Sequence, residues 1–456
     1  MKIQNLLVSS LAALALVGCG GSSSSSSGSS TGTSATNAGN GSTTTTAAAG
    51  SSGAASTGST GAASTSSGSS GGSTNSGVSG SSTSTTASSG SSGSTGTTAS
   101  TGSSGSTGSS GSSGGSTTGG TGAISAPDLT WTWVDFPGAH CRDGSATGIG
   151  VNLNPNSDKV LVFLMGGGAC FNSITCGQNP SHFGASDFNS QVGTVQLDGV
   201  FDRTNTANPF ADWNMVFVPY CTGDVHAGNN PSGSVSGVSG TQQFVGYTNV
   251  QQYLQRLVPT FPNATQIVWS GASAGGFGAA ATYAQAAAAF SPIHVDMLDD
   301  SGPLMEDPYL ASCLQDQVRQ LWGLDGTILA DCGSDCPDNT NYMLAYLKHV
   351  VNASPARQFG LMDSTDDNTI TLFFGFGQNN CSGFGVVSAS TFTAGLEDIR
   401  TQMASSPNWG EFIFDGTQHT AMGDADFYTL EAPDGGVVMS DWVEALADGG
   451  VSNTGP

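Results

Sequence analysis

The sequence predicts an α/β fold built on a mostly parallel, doubly wound sheet. Apolar runs at 159–165, 213–220, 266–270, 294–298, 357–362 and 411–414 carry the first observation. Three or four of them are too uniformly hydrophobic to alternate between core and solvent, the pattern of strands covered on both faces. Helical stretches lie between them, at 242–257, 274–290, 308–322, 341–351, 370–375 and 394–404, and such alternation builds a parallel sheet flanked by helices. Finally, the run at 266–270 passes through a glycine-flanked serine, Gly271-Ala-Ser273-Ala-Gly275, into a helix of small residues. Two further strands, around 130–134 and 148–153, suit an antiparallel edge. The stretch 306–352 reads as a helical insertion over the edge of the sheet where ligands bind.

The chain divides into three parts by composition. Residues 1–19 run from Lys2 through an apolar segment, 6–17, to Leu16-Val-Gly-Cys19. That is a secretory signal, too short to span a bilayer. Its ending resembles the bacterial lipobox, which makes Cys19 a lipidated mature N-terminus. Gly20 stands where an aspartate would favour the inner membrane, so the expected location is the outer membrane or cell surface of a bacterium. Residues 20–122 are almost entirely Ser, Gly, Thr and Ala, without charge or aromatic rings, and cannot bury a core. A flexible chain of that length spans about 50–60 Å. One domain, 123–456, is left to carry the function.

That domain holds all 33 acidic residues and eight of the nine basic ones, the ninth being Lys2. Such a surface repels nucleic acid, anionic lipid and polyanionic polysaccharide, so nucleic-acid binding is excluded and membrane association rests on the anchor alone. Of nine cysteines, eight remain after Cys19, an even number that in an exported chain reads as up to four disulfides. Cys332 and Cys336 are near enough to bond locally. They lack the second pair or the histidines of a zinc site, and no metal is expected.

A serine nucleophile needs a sharp backbone turn, a base, an acid to orient the base, and donors for the oxyanion. The placement of Ser273 between strand and helix supplies the turn, with Gly271 and Gly275 removing side-chain clashes. Among six histidines, His419 follows the last strand, which suits the third member in Ser–Asp–His chain order. His294 and His349 read as structural, and His226 follows a strand and could line the cleft. Asp363, Asp366 and Asp367 follow the penultimate strand; Asp366 is the first choice for the acid and Asp367 the second, with Asp299 and Asp300 as fallback. Gly166-Gly-Gly-Ala-Cys170 follows an early strand and offers the amides of Gly168 or Ala169, with that of Ala274, to an oxyanion. A phosphate loop is excluded because no G-K-[ST] follows.

Five short motifs in order resemble the pectin acetylesterase/Notum family of carboxylesterases: Cys141-Arg-Asp-Gly-Ser, Gly166-Gly-Gly-Ala-Cys170, Pro219-Tyr-Cys-Thr-Gly-Asp224, Gly271-Ala-Ser-Ala-Gly-Gly276 and Asp300-Ser-Gly302. The resemblance implies an α/β-hydrolase-like fold and a triad of Ser273, an aspartate and His419. Aligned without gaps, it places the acid on Asp366, and it implies disulfides Cys141–Cys221 and Cys170–Cys176. Ala169 stands where the family has tryptophan, which changes the wall of the acyl pocket.

The expectation is therefore an exported, lipid-anchored serine carboxylesterase with no cofactor, acting on an acylated carbohydrate or another ester. By resemblance the reaction is deacetylation of a polysaccharide. An esterase for longer acyl chains is the alternative, and a catalytically dead, surface-displayed glycan-binding lipoprotein is the reading the long stalk would favour.

Overall fold

The computed structural model describes residues 122–194 and 198–455. The leader 1–19 with Cys19, and the linker up to residue 121, lie outside the described residues.

Nine strands form one sheet in the order β1-β2-β4-β3-β7-β8-β9-β10-β11. The antiparallel edge is β1 (Thr132–His140) on β2 (Ala146–Asn152), which also pairs antiparallel with β4 (Asn214–Val218). From β4 onward every pairing is parallel: β3 (Lys159–Leu164), β7 (Gln266–Ala272), β8 (His294–Asp300), β9 (Phe359–Ser364), β10 (Trp409–Phe414) and the two-residue β11 (Asn453–Thr454). The runs that looked uniformly apolar are these central strands, and β4, β9 and β10 are buried at every position. A separate small ladder joins β5 (Asn230–Gly233) to β6 (Gln242–Phe244).

Helices α1 (Ser173–Gln178), α2 (Ala185–Thr194), α3 (Gly246–Thr260), α4 (Ala274–Phe290), α5 (Ser312–Trp322), α6 (Ile328–Cys332), α7 (Met343–Ala353), α8 (Ile370–Phe374), α9 (Ala389–Met403) and α10 (Met439–Ala447) complete the described frame. Two apolar layers result. One side of the sheet packs Ile267, Trp269 and Val295 against Ala279, Ala286 and Tyr283 of α4; the other packs Val268, Leu298 and Met362 with Phe412 and Trp442. The alanines let α4 approach the sheet closely, so that Trp269 Nε1 reaches Thr282 Oγ1 at 3.0 Å.

Three expected boundaries shift for local reasons. Residues 242–244 form β6 rather than opening α3, because Gln242 Oε1 accepts from the buried Arg142 guanidinium at 2.6 Å. The helix expected from 308 starts at Ser312. Helix α9 starts at Ala389, because Ser388 accepts the Thr391 amide as its cap. None of the helices described is long and apolar enough to cross a membrane.

Candidate active site

The carboxyl ends of β3, β7, β8, β9 and β10 lead into the glycine loop, Ser273, Asp300 and the loops of Asp367 and His419; among the described residues no hydrogen bond joins His419 to Ser273. Ser273 sits where β7 passes into α4, with φ 58° and ψ −124°, a backbone conformation that costs about 1–3 kcal/mol and persists only where the surroundings enforce it. The enforcement is visible. The Ser273 amide donates to Asp300 O at 2.7 Å, while Gly276 N and Phe277 N donate back to Ser273 O at 2.8 and 3.2 Å. A Cβ on Gly275 would strike the Leu164 carbonyl, and one on Gly271 the Gly275 carbonyl, so both flanking positions require glycine.

The glycine loop after β3 lies directly against this turn, where a Cβ on Gly166 would meet Ser273 Cβ at 2.8 Å. Its polar groups are tied down on both sides. Met165 N donates to Val218 O (2.9 Å), Asn179 Nδ2 to Gly167 O (2.8 Å), Cys170 N to Gly223 O (2.7 Å) and Trp322 Nε1 to Cys170 O (3.0 Å). Among the described residues no acceptor takes the amides of Gly168 and Ala169. Gly168, at φ +79°, and Ala169 line one cavity together with Ser273 and Ala274.

His419 follows β10 on a loop that β8 and β9 hold in place. Ala421 N and Met422 N donate to Asp300 Oδ2 at 2.9 and 2.8 Å, Thr420 N donates to Ser301 Oγ at 3.1 Å, and Ser364 Oγ donates to Gln418 O at 2.8 Å. Its partner is Asp367: Nδ1 lies 2.6 Å from Asp367 Oδ2, and that carboxylate is fully buried. Asp367 Oδ1 accepts the amides of Thr369 and Ile370, both at 2.8 Å, and so caps the start of α8. Burial alone would lower the His419 pKa. The Asp367 charge and hydrogen bond, with the Asp300 charge, outweigh it and raise the pKa above its ordinary value. With Nδ1 engaged by a carboxylate, Nε2 is the nitrogen that can accept a proton.

The carboxylate that meets the imidazole is Asp367, where the sequence reading puts Asp366 first. Asp366, the first choice, does not meet His419; its amide still pairs with Gly416 O at 3.0 Å, and it is only half-buried. Strand pairing thus runs one residue past the expected turn, and the next residue swings inward. Asp299 and Asp300 do not touch the imidazole, although Asp300 organises its loop.

His226 is also corrected. It is buried rather than lining the cleft, and its Nε2 lies 2.9 Å from Met165 O, so that nitrogen carries the proton. Burial pushes its pKa down to about 4, which keeps the ring neutral. It holds the residue just before the glycine loop and is not among the residues lining the cavity. His294 pairs with Asp296 and His349 with Asp335, both away from this edge of the sheet.

The cavity encloses about 610 Å³, its mouth included. Beyond Ser273 its walls are almost wholly apolar: Phe277 of α4, Leu314, Val318 and Trp322 of α5, Met343 of α7, and Ile370, Phe373 and Phe374 of α8. Helix α5 belongs to the stretch expected as an insertion, and it leans over the glycine loop through Trp322 and through Gln317 Nε2, which donates to Phe171 O at 2.8 Å. Four disulfides brace this region. The structure pairs Cys141 with Cys221, Cys170 with Cys176 and Cys332 with Cys336; the fourth, Cys313–Cys381, joins segments 68 residues apart and had no sequence signal. Four disulfides are the chemistry of an extracellular, oxidising compartment.

The sequence profile of the pectinacetylesterase family matches residues 128–369, which include the glycine loop, Ser273 and Asp367. The chain belongs to the pectinacetylesterase family. Similar relatives include the palmitoleoyl-protein carboxylesterase notum2 of Xenopus laevis, 33% identical over 144 residues, covering 30% of this chain and 28% of that protein. The palmitoleoyl-protein carboxylesterase NOTUM of Drosophila melanogaster is 27% identical over 214 residues, covering 43% of this chain and 31% of that one. The chain thus spans under a third of the length of these two relatives. Among solved structures, the Wnt deacylase Notum from Drosophila superposes with a TM-score of 0.51 at 17% identity, covering 70% of this pectinacetylesterase-family chain and 93% of that one. That likeness shows the α/β-hydrolase-like fold. Both relatives are named carboxylesterases.

Proposed function

We propose that the chain is a serine carboxylesterase in which Ser273 is the nucleophile, His419 the general base and Asp367 the carboxylate that orients it. The observation that carries this reading is the enforced positive-φ turn at Ser273, which opens its side chain into the same cavity as Gly168, Ala169 and Ala274. His419 Nε2 takes the Ser273 proton as Oγ attacks the ester carbonyl. The oxyanion rests on the amides of Gly168 or Ala169 and Ala274, each such donor contributing about 2.7–4 kcal/mol in comparable sites. His419 then protonates the leaving alcohol, and activates the water that releases the acyl group from Ser273.

The cavity favours an acyl chain longer than acetyl. A single methyl would leave the apolar walls formed by α5, α7 and α8 uncovered, whereas each buried methylene contributes roughly 0.8 kcal/mol. Deacetylation of a polysaccharide remains the second reading, supported by the family match over 128–369. The excess of acids over bases then points to neutral or heavily esterified glycans. Hydrolysis rates for p-nitrophenyl esters from C2 to C16 separate the two readings. No hydrolysis of any member, or activity that survives Ser273→Ala, removes the esterase reading altogether. In the same proposal Cys19 carries a lipid anchor and residues 20–122 tether the domain to a bacterial outer membrane or cell surface. Incorporation of an alkyne fatty acid that persists in Cys19→Ser would remove the anchor.

A further inference from the structure

We propose that Phe374 sets the length of acyl chain the enzyme accepts, by closing the acyl cavity against a second cavity behind it. This rests on the carboxylesterase reading above. The second cavity, open to solvent at its mouth, measures about 440 Å³ with that mouth included and is lined by Pro308, Tyr309, Ala311, Gly377, Gln378 and Val387; Phe374 lines both cavities. The partition has a fixed part and a removable part. The fixed part is the turn at 308–311, where Leu310 faces the first cavity while Tyr309 and Ala311 face the second. The Tyr309 and Leu310 amides donate to Glu306 O at 2.8 and 3.0 Å. The Cys313–Cys381 disulfide ties the start of α5 to the segment after α8. What remains is one aromatic ring.

That ring is held by packing alone. Phe374 meets Phe277 edge-on at 6.5 Å between centroids and Phe392 at 6.3 Å, and it is 6% exposed. Phe277 stands on the first turn of α4, four residues after Ser273, so the partition lies along the path an acyl chain takes away from the ester carbon. Truncating Phe374 joins the two cavities without touching Ser273, His419, Asp367 or the glycine loop. Enlarging it shortens the first cavity.

The test is the ratio of kcat/KM for C16 to that for C8 p-nitrophenyl esters in the wild type, Phe374→Ala, Phe374→Leu and Phe374→Trp, alongside displacement of cis-parinaric acid by free fatty acids. The expected result is a rise of about tenfold or more in the ratio for Ala, a smaller rise for Leu and a fall for Trp. Fatty-acid affinities should move in the same order. The Leu variant keeps most of the buried volume and preserves the comparison if Ala folds poorly. Unchanged profiles and unchanged fatty-acid affinities in a wild-type-active series overturn the partition and leave the esterase reading standing. Inactivity of the wild type on the whole panel overturns the esterase reading, and the partition with it.

Discussion

The carbonyl oxygen of Asp300 accepts the amide of Ser273 at 2.7 Å, while its carboxylate accepts the amides of Ala421 and Met422 at 2.9 and 2.8 Å. One residue at the end of β8 therefore fixes the serine turn through its backbone and the histidine loop through its side chain. Asp300→Ala leaves two buried N–H groups without acceptors, at ~1–3 kcal/mol each. Both the thermal midpoint and kcat should fall, and Asp300→Asn, which keeps one carbonyl acceptor, should lose less of each. Wild-type kinetics and melting in Asp300→Ala would contradict this role.

The identity of the acid has a direct test. Asp367→Asn should lower kcat by about 10⁴, the loss seen when a triad imidazole is left in the wrong tautomer. Asp366→Asn should stay within about threefold, as expected for a side chain outside the relay, with a stability change near ±0.5 kcal/mol. The reverse ranking in steady-state kinetics would return the assignment to Asp366.

Catalysis should lose its base on acidification at a pH above 6.5, because the His419 pKa is raised above that value. Burial opposes protonation there, while Asp367 and Asp300 favour it and prevail. Removing the Asp367 charge leaves burial less opposed, so the acid limb of kcat/KM in Asp367→Asn should move to lower pH. A limb unchanged by that substitution would detach the profile from this pair.

Stability should increase as the pH is lowered from 8 towards 5. Burial raises Asp224 and Asp300 to about 6 and holds Asp299 and Asp363 well above the ordinary carboxylate range. A carboxyl with a raised native pKa binds its proton more tightly when folded. Its stabilising contribution is full below the unfolded value and fades as pH rises through the native one. His226 acts in the opposite sense, since its native pKa of about 4 costs stability progressively below 6.5. The four carboxyls, joined by His419 with its raised pKa, outweigh His226 and give a thermal midpoint higher at pH 5 than at pH 8. A midpoint that falls as the pH is lowered from 8 to 5, followed by calorimetry, would refute the balance.

Much of this frame was legible because it is written in local pattern. The β7–Ser273–α4 passage, the parallel strands and the loop carrying His419 all follow from runs of residues whose own chemistry dictates them. The misread positions depend on where a chain stops pairing. Asp366 and Asp367 are chemically identical, and only the continued pairing of Thr365 and Asp366 with Phe414 and Gly416 decides which one turns inward. His226 looked like a cleft residue because it follows a strand. Val225 and His226 instead adopt positive φ, and the imidazole folds under the Met165 carbonyl. The Cys313–Cys381 bond joins distant segments, and the short strand β11 is held by its pairing with Glu411 and Phe412, so neither leaves a local trace.

Asp367 spends one oxygen on the imidazole and the other on the first amides of α8, the helix that carries Phe373 and Phe374. A guest too bulky for its berth would press on that helix and drag the carboxylate with it, tilting the ring that must receive the proton. A misfitting tail would then be felt twice, in how firmly it lodges and in how fast it turns over.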